Sequence, residues 1–330
     1  MSKVALVKGD NRYDNITQAL DLVSDEIEFS RKIVIKPNFT SVTNQLAATH
    51  VDAVRAVLDY IKKQTNGQEN QEIVVAEGTG NETADSMIGF QNYGFFDLAQ
   101  HYNVSFIDLN KDETVEVKML NSRFDTMSIR LAKTVVDAEC LISICPPKTH
   151  NNVLYTGALK NIASGAVVRK QRWLLSRLFR WVGWMSKLVG DDKLKLHQGY
   201  QAMNLNLYQL ATIIPPSLSI IDGFEAMQGN GPVQGDKLDL RVAVAGIDFL
   251  ACDTVASWLM GIDVSKIGYL SYCEQAGLGE ADIFGIDILG DKLEDCMMPA
   301  LPHYKWEEQI DWEVVDHGRY LKWLSALASA

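Results

Sequence analysis

Cysteine is scarce in this chain, and the five that occur (Cys140, Cys145, Cys252, Cys273 and Cys296) include no C-x-x-C pair. An odd number without that spacing argues against a disulfide framework and against a zinc ribbon. A four-cysteine iron–sulfur cluster within the chain would have to be assembled from thiols far apart in sequence. Otherwise the five read as buried free thiols of a reducing compartment. Base is also short: 31 Lys and Arg stand against 42 Asp and Glu, a formal net charge of −11. Phosphate backbones reward a basic surface, so the balance argues against a general nucleic-acid binder. No apolar run approaches the roughly 20 residues of a membrane-spanning helix. The opening residues "MSKVALVKGDNRYDN" have neither the apolar core nor the cleavage signature of a signal peptide. The expected location is therefore the cytoplasm. Tandem repeats and low-complexity segments are lacking as well.

What is present is globular. The 330 residues, 47% of them apolar, can bury a sizeable core. "KVALVK" and "KIVIKP" read as strands, and "HVDAVRAVLDYIKK" has apolar residues at helical spacing. "EIVVAE" is a continuous apolar run, typical of a strand covered on both faces. A helix at "YGFFDLAQHY" and a strand at "VSFIDL" follow. Beyond them, "TVEVKML" and "TMSIRLA" look like paired strands, and "AECLISIC" like a buried one. "GALKNIASGAVV", "YQAMNLNLYQLATII" and "DFLACDTVASWLMG" read as helices, with strands at "LSIIDG", "LRVAVAG" and "IFGIDILG". This alternation predicts an α/β fold with a mainly parallel, helix-flanked sheet, in one or two lobes.

Polar clusters end these apolar runs. "VIKPN" closes on Lys36 and Asn38, and "VVAEGTGNET" on Glu77, Gly78, Thr79, Gly80 and Asn81. "ISICPPKTH" closes on Lys148 and His150, and "TGALKN" brings Lys160 and Asn161 to the start of a helix. In parallel sheets, sites form beyond the carboxyl ends of the strands, where loops converge. Lysines in apolar surroundings must be paired or lose their charge. Lys36 and Lys160, together with Lys148, stand at presumed loop ends and suggest an anionic ligand, a carboxylate or phosphate, with His150 moving a proton from a loop position. The glycines of "EGTG" either admit an anion to the backbone amides or make a tight turn. Asp222, Asp248 and Asp253 could supply hard oxygen ligands to a divalent metal, and Asp248 equally fits a helix N-cap.

The ordered set "VIKPN", "ATHVDAVRAVLDYI", "VAEGTG", "PPKTH", "TGALKN", "IIDGFEAMQGNGP" and "AVAGIDFLACDTVASWLMG" resembles the family catalogued as domain of unknown function 362. The resemblance covers roughly residues 1–290 and implies an α/β fold. Relatives with an attached ferredoxin-like module imply iron–sulfur chemistry, but this chain lacks the C-x-x-C-x-x-C repeats of that module. Cys145 and Pro147 depart from the family pattern before "KTH". By analogy of fold, that element suggests acid–base chemistry on a small acid, as in nickel-dependent lactate racemases.

The stretch "RKQRWLLSRLFRWVGWMSKLVG" (169–190) has six basic residues and no acidic one. On a helical wheel Leu174, Leu178, Trp181, Met185 and Leu188 share an arc, opposite Arg177, Arg180 and Lys187, the pattern of an interfacial amphipathic helix. It would dock on the body or on a partner subunit of a homo-oligomer, contact a membrane surface, or cover a hydrophobic substrate. The expected organisation is a core over 1–290, an insertion over 169–198 and a C-terminal appendage over 291–330. The first functional expectation is an enzyme acting on a small anionic molecule. Catalytic roles fall to Lys148, His150 and Lys36, and binding roles to Lys160, Asn161, Asn38, Gly78, Thr79, Gly80 and Asn81. An iron–sulfur accessory protein and a peripheral membrane protein are the alternatives.

Overall fold

The computed structural model describes residues 1–65, 71–80, 83, 85–169 and 191–328. In chain order its strands begin with β1 (Ser2–Lys8), β2 (Lys32–Lys36), β3 (Glu72–Glu77), β4 (Val104–Asp108), β5 (Thr114–Leu120), β6 (Thr126–Ala132) and β7 (Cys140–Cys145). They continue with β8 (Lys148–His150), β9 (Leu154–Thr156), β10 (Leu218–Gly223), β11 (Ala226–Gln228), β12 (Asp236–Leu238), β13 (Val242–Gly246) and β14 (Ile286–Gly290). Eight of them form the central sheet, in the order β14-β1-β13-β10-β7-β2-β3-β4. Only the β1–β13 and β10–β13 pairs are antiparallel; every other pair in the sheet is parallel. The fold is thus the mainly parallel α/β architecture expected from the sequence.

Alternation along the strands sorts side chains onto two layers. Ile33, Ile35, Val75, Ile142 and Ile144 pack with Ile16 and Leu20 of helix α1 (Arg12–Leu22) and Val54 and Val57 of helix α2 (Val51–Gln64). Val34, Val74, Ala76 and Leu141 face the other way, toward Leu159, Ile162, Met203, Leu207 and Val255 of the helices Ala158–Ala166, Tyr200–Ile213 and Phe249–Leu259. Burying each such aliphatic side chain contributes about 1.5–3 kcal/mol, so the sheet stays apolar and polar groups collect at its ends.

From β2 the chain steps outward through β3 to β4. From β7 it continues on the other side, to β10. Adjacent parallel strands β2 and β7 therefore mark a topological switch point, where a crevice opens beyond the carboxyl ends. A second sheet, ordered β12-β11-β8-β9, stands over that end.

Two expectations need correction. "KTH" is not a loop: it is β8, paired antiparallel with β9 at Lys148–Thr156 and His150–Leu154 and parallel with β11 at Met227. The two prolines end β7, and the chain resumes strand pairing within three residues. "YGFFDLAQHY" holds a 3₁₀ turn over Phe95–Gln100, and the α-helix lies earlier, at Ser86–Asn92, capped by Asp85. Residues 291–328 lie against the body: Trp312 packs edge-on to Tyr272 with ring centroids 5.0 Å apart, and Leu324 is buried.

Candidate functional site

The floor of the crevice is a buried polar network. Lys36 Nζ donates to Glu77 Oε2 (2.7 Å), Asn161 Oδ1 (2.9 Å) and the Pro37 carbonyl (2.9 Å), which uses all three of its protons. Asn38 Nδ2 also donates to Asn161 Oδ1 (3.1 Å), and Asn161 Nδ2 donates to the Lys36 carbonyl and to Ser143 Oγ. Lys148 Nζ donates to Asn38 Oδ1 and Thr40 Oγ1. Strands β2, β3 and β8 and the helix Ala158–Ala166 are thereby tied together by side chains that are nearly all fully buried. Gly165 allows Lys36 to pass: a Cβ there would stand 1.9 Å from Lys36 Cε. That helix opens at Gly157 without a cap of its own. Asp253, from the helix Phe249–Leu259, accepts from Ala158 N (2.6 Å) and Leu159 N (3.1 Å) in its place. Burial with no cation beside it raises the Asp253 carboxyl to about 7.

Above this floor is a cleft of about 690 Å³. Its lining includes Lys36, Asn38, Gly78, Gly80, His150, Thr156, Lys160, Asn161, Ser164, Arg169, Lys193 and His197, with Asn230 to Gln234 and His303 to Lys305 around the mouth. Two acidic residues line it, and each is paired: Glu77 with Lys36 and Asp191 with Arg169 at 2.8 Å. Lys160, Lys193 and Lys305 have no carboxylate partner among the described residues. In a chain of net charge −11, this cleft gathers a local surplus of basic groups.

Lys160 is distinct among these lysines. It is 5% exposed and has no hydrogen-bond or ion-pair partner among the described residues. Burial, with Lys148 and Lys193 nearby, lowers its amine to about 7. Two further polar atoms of the lining, Thr156 Oγ1 and Ser164 Oγ, are buried without a partner. Buried polar atoms are nearly always satisfied, so these two orphans, facing one cavity with the unpaired Lys160, mark where a ligand would supply bonds. His150 is buried; its Nδ1 accepts from Asn152 N (3.0 Å), which leaves the ring proton on Nε2. Burial and the field of Lys160 hold it well below the usual histidine value, hence neutral. His197 lies face to face with it, ring centroids 6.5 Å apart, and bonds the Lys193 carbonyl through Nδ1 (2.7 Å), so its Nε2 carries a lone pair.

The structure brings Lys36, Asn38, Gly78, Gly80, His150, Lys160 and Asn161 to one cleft. Two of the anion-site candidates, like the two metal candidates, lie outside its lining. Lys148 is fully buried beneath Asn38 and Thr40, its amine lowered to about 8 by burial. Thr79 is spent on scaffolding: its Oγ1 donates to the Phe39 carbonyl, and its carbonyl accepts from Asn110. Gly78 and Gly80 serve close approach, to the Gly165 carbonyl and to the stem of Lys193. Asn81 and the stretch 170–190 lie outside the described residues. Arg169 and Asp191, which flank that stretch, form an isolated bridge at the cleft. Sequence reasoning missed Thr156, Ser164, Lys193 and the 303–305 segment. Only proximity to "TGALKN" could have pointed to the first two.

The residues do not fit a metal shared by Asp222 and Asp248. Because β10 and β13 run antiparallel, the two aspartates emerge at opposite ends of the sheet. Asp222 pairs with Arg12 at 3.0 Å, while Asp248 caps a helix through Leu250 N and Ala251 N and accepts from Ser2. All five cysteines are buried, and no group of three or more His, Cys, Asp or Glu among the described residues could hold a metal. No helix among the described residues is long and apolar enough to cross a membrane.

Comparison with known proteins places this cleft in context. A thylakoid-associated protein of Synechocystis sp. is 26% identical over 193 residues, covering 57% of this chain and 51% of that protein. The chain thus spans about half the length of that curated relative. The lactate racemase apoprotein from Thermoanaerobacterium thermosaccharolyticum aligns at 14% identity and a TM-score of 0.45, over 77% of this chain and 57% of that one. The model of the family described as Domain of unknown function (DUF362) matches residues 33–258, which include every residue of the floor network from Lys36 to Asp253, and the chain belongs to that family.

Proposed function

We propose that the cleft binds a small anionic organic molecule, a carboxylate or a phosphate, and that the protein carries out acid–base chemistry on it. The carrying observation is the convergence in one cleft of Lys160 with two buried hydroxyls, Thr156 Oγ1 and Ser164 Oγ, all three without partners among the described residues. An ammonium and two hydroxyls are donors suited to anionic oxygens. Lys193, its amine also lowered to about 7 by burial, adds a further donor, and neutral His150 offers its Nε2 proton to the bound molecule. Lys36 and Lys148, both expected to act directly, instead keep the floor rigid. Rigidity is what positioning of a reactant requires.

The test is thermal unfolding and calorimetry with acetate and inorganic phosphate as probes. At least one should bind saturably, and Lys160→Met should weaken it by about tenfold or more, the value of a lost charge-assisted bond. An absence of saturable binding by either anion would refute the reading. A second reading, contact with anionic membrane surfaces through the basic stretch 170–190, is supported by its sequence pattern and by the thylakoid association named for the relative. Equal co-sedimentation with anionic vesicles by the wild type and by an Arg177→Glu/Arg180→Glu/Lys187→Glu variant would exclude it.

A further inference from the structure

An amine attacks carbon through its lone pair, so a nucleophilic lysine must be free of acceptors and able to shed its third proton. Burial lowers the amines of Lys160 and Lys193 alike to about 7, but the cleft lysines differ sharply in their acceptors. Lys36 is held by three acceptors. Lys193 donates to the Ser164 and Gly165 carbonyls. Lys305 lies over the Tyr304 ring at the mouth. Lys160 alone combines burial, a place in the lining and no partner among the described residues. It also stands in the field of Lys148 and Lys193, and crowding by like charge is a recognised way to free an amine.

We propose that Lys160 forms an imine with the molecule bound in the cleft, so that the anion is a carbonyl compound such as a 2-oxo acid or an aldehyde acid. This rests on the anion-binding reading of the same cleft. The Nζ lone pair bonds to the carbonyl carbon as the C=O π pair moves to oxygen. One Nζ proton passes to that oxygen, giving a carbinolamine. A second proton, drawn from solvent through His197 Nε2 at the mouth, lets the oxygen leave as water. The product is a protonated C=N bond; nothing is oxidised or reduced. With its amine at about 7, much of Lys160 is unprotonated at neutral pH.

Borohydride trapping tests the step. The full chain is incubated at pH 7 with glyoxylate or with acetaldehyde, reduced with sodium borohydride, digested and analysed by mass spectrometry. Glyoxylate should leave a reduced adduct on Lys160 at about tenfold or more over any other lysine, reflecting its free amine. Lys160→Arg should abolish it while circular dichroism stays native; Lys160→Met is the parallel variant should arginine fail to fit. Label spread over surface lysines with no preference for Lys160 overturns the proposal. Equal labelling of Lys160 by glyoxylate and neutral acetaldehyde supports the imine and overturns the anion reading. Saturable binding of inorganic phosphate without Lys160 label does the reverse.

Discussion

Replacing Lys160 by methionine should stabilise the protein, and the gain should shrink as pH rises. Methionine has similar bulk, so packing is retained. The side chain is 5% exposed, and its amine falls from the usual 10.5 to about 7 in the folded chain. Between those values the unfolded chain holds a proton that the folded chain has released, so wild-type stability rises with pH across that window. The gap amounts to about 4 kcal/mol against the folded wild type at pH 7, about 2 kcal/mol at pH 9, and almost nothing near pH 11. The variant has no titrating group at that position and escapes this penalty. Urea denaturation of both proteins at pH 7, 8 and 9 should therefore show the variant ahead, with its lead falling by about 2 kcal/mol between pH 7 and pH 9. A lead that does not change with pH, or a variant less stable at pH 7, would refute the assignment of Lys160 as a buried amine without a partner. Gained stability with lost anion binding would be the trade expected of a functional group.

Glu77→Gln leaves the Lys36 ammonium buried without its carboxylate and should cost about 3–5 kcal/mol in urea denaturation; a loss under about 1 kcal/mol would show that the pair is dispensable. Gly165→Ala drives a Cβ into Lys36 and should cost about 1–3 kcal/mol. Combined with Glu77→Gln it should cost less than the sum, because both break the same pair. Asp253, raised to about 7, holds a proton when folded that the unfolded chain has lost above about pH 4. Wild type should lose stability relative to Asp253→Asn as pH rises from 4 to 7, and parallel pH profiles would refute this. Acetate, an anion throughout this range, should bind with an affinity that is flat from about pH 6 to 7 and falls by up to about tenfold per pH unit above it, as Lys160 loses its proton; an affinity that rises above pH 7 would point to a different anchor.

Much of the fold was legible because continuous apolar runs such as "EIVVAE" and "CLISIC" have few other uses in a chain with helical segments between them. The crevice was legible from the polar residues that end those runs. The division of labour was not. Lys36 and Lys160 look alike in sequence, since both are single charges in apolar surroundings. Only three dimensions show that Glu77 and Asn161 pair with one while no described residue pairs with the other. Asp222 and Asp248 misled for a related reason: both end apolar strands, but antiparallel pairing puts their ends on opposite sides. His150 was read as a loop residue because two prolines precede it, whereas β9 and β11 hold it in a strand. Lys193 and His197 carry no local signal; they reach the cleft because Arg169 and Asp191 close the chain back on itself.

The cleft is assembled from two unlike stocks of chain. Its floor belongs to the segment shared with the family, where each lysine and asparagine is bound to several others. Part of its rim does not. His303, Tyr304 and Lys305 come from a strap fastened to the small second sheet by backbone and amide bonds, Gly229 N to the Leu301 carbonyl (2.7 Å) and Leu154 N to Gln309 Oε1 (2.8 Å). Substitutions in the strap can therefore alter the shape and charge of the entrance while the floor keeps its geometry. A change in the floor has no such freedom, because moving any one of its side chains unseats the next. Selection for a new ligand would find its first variants in the strap.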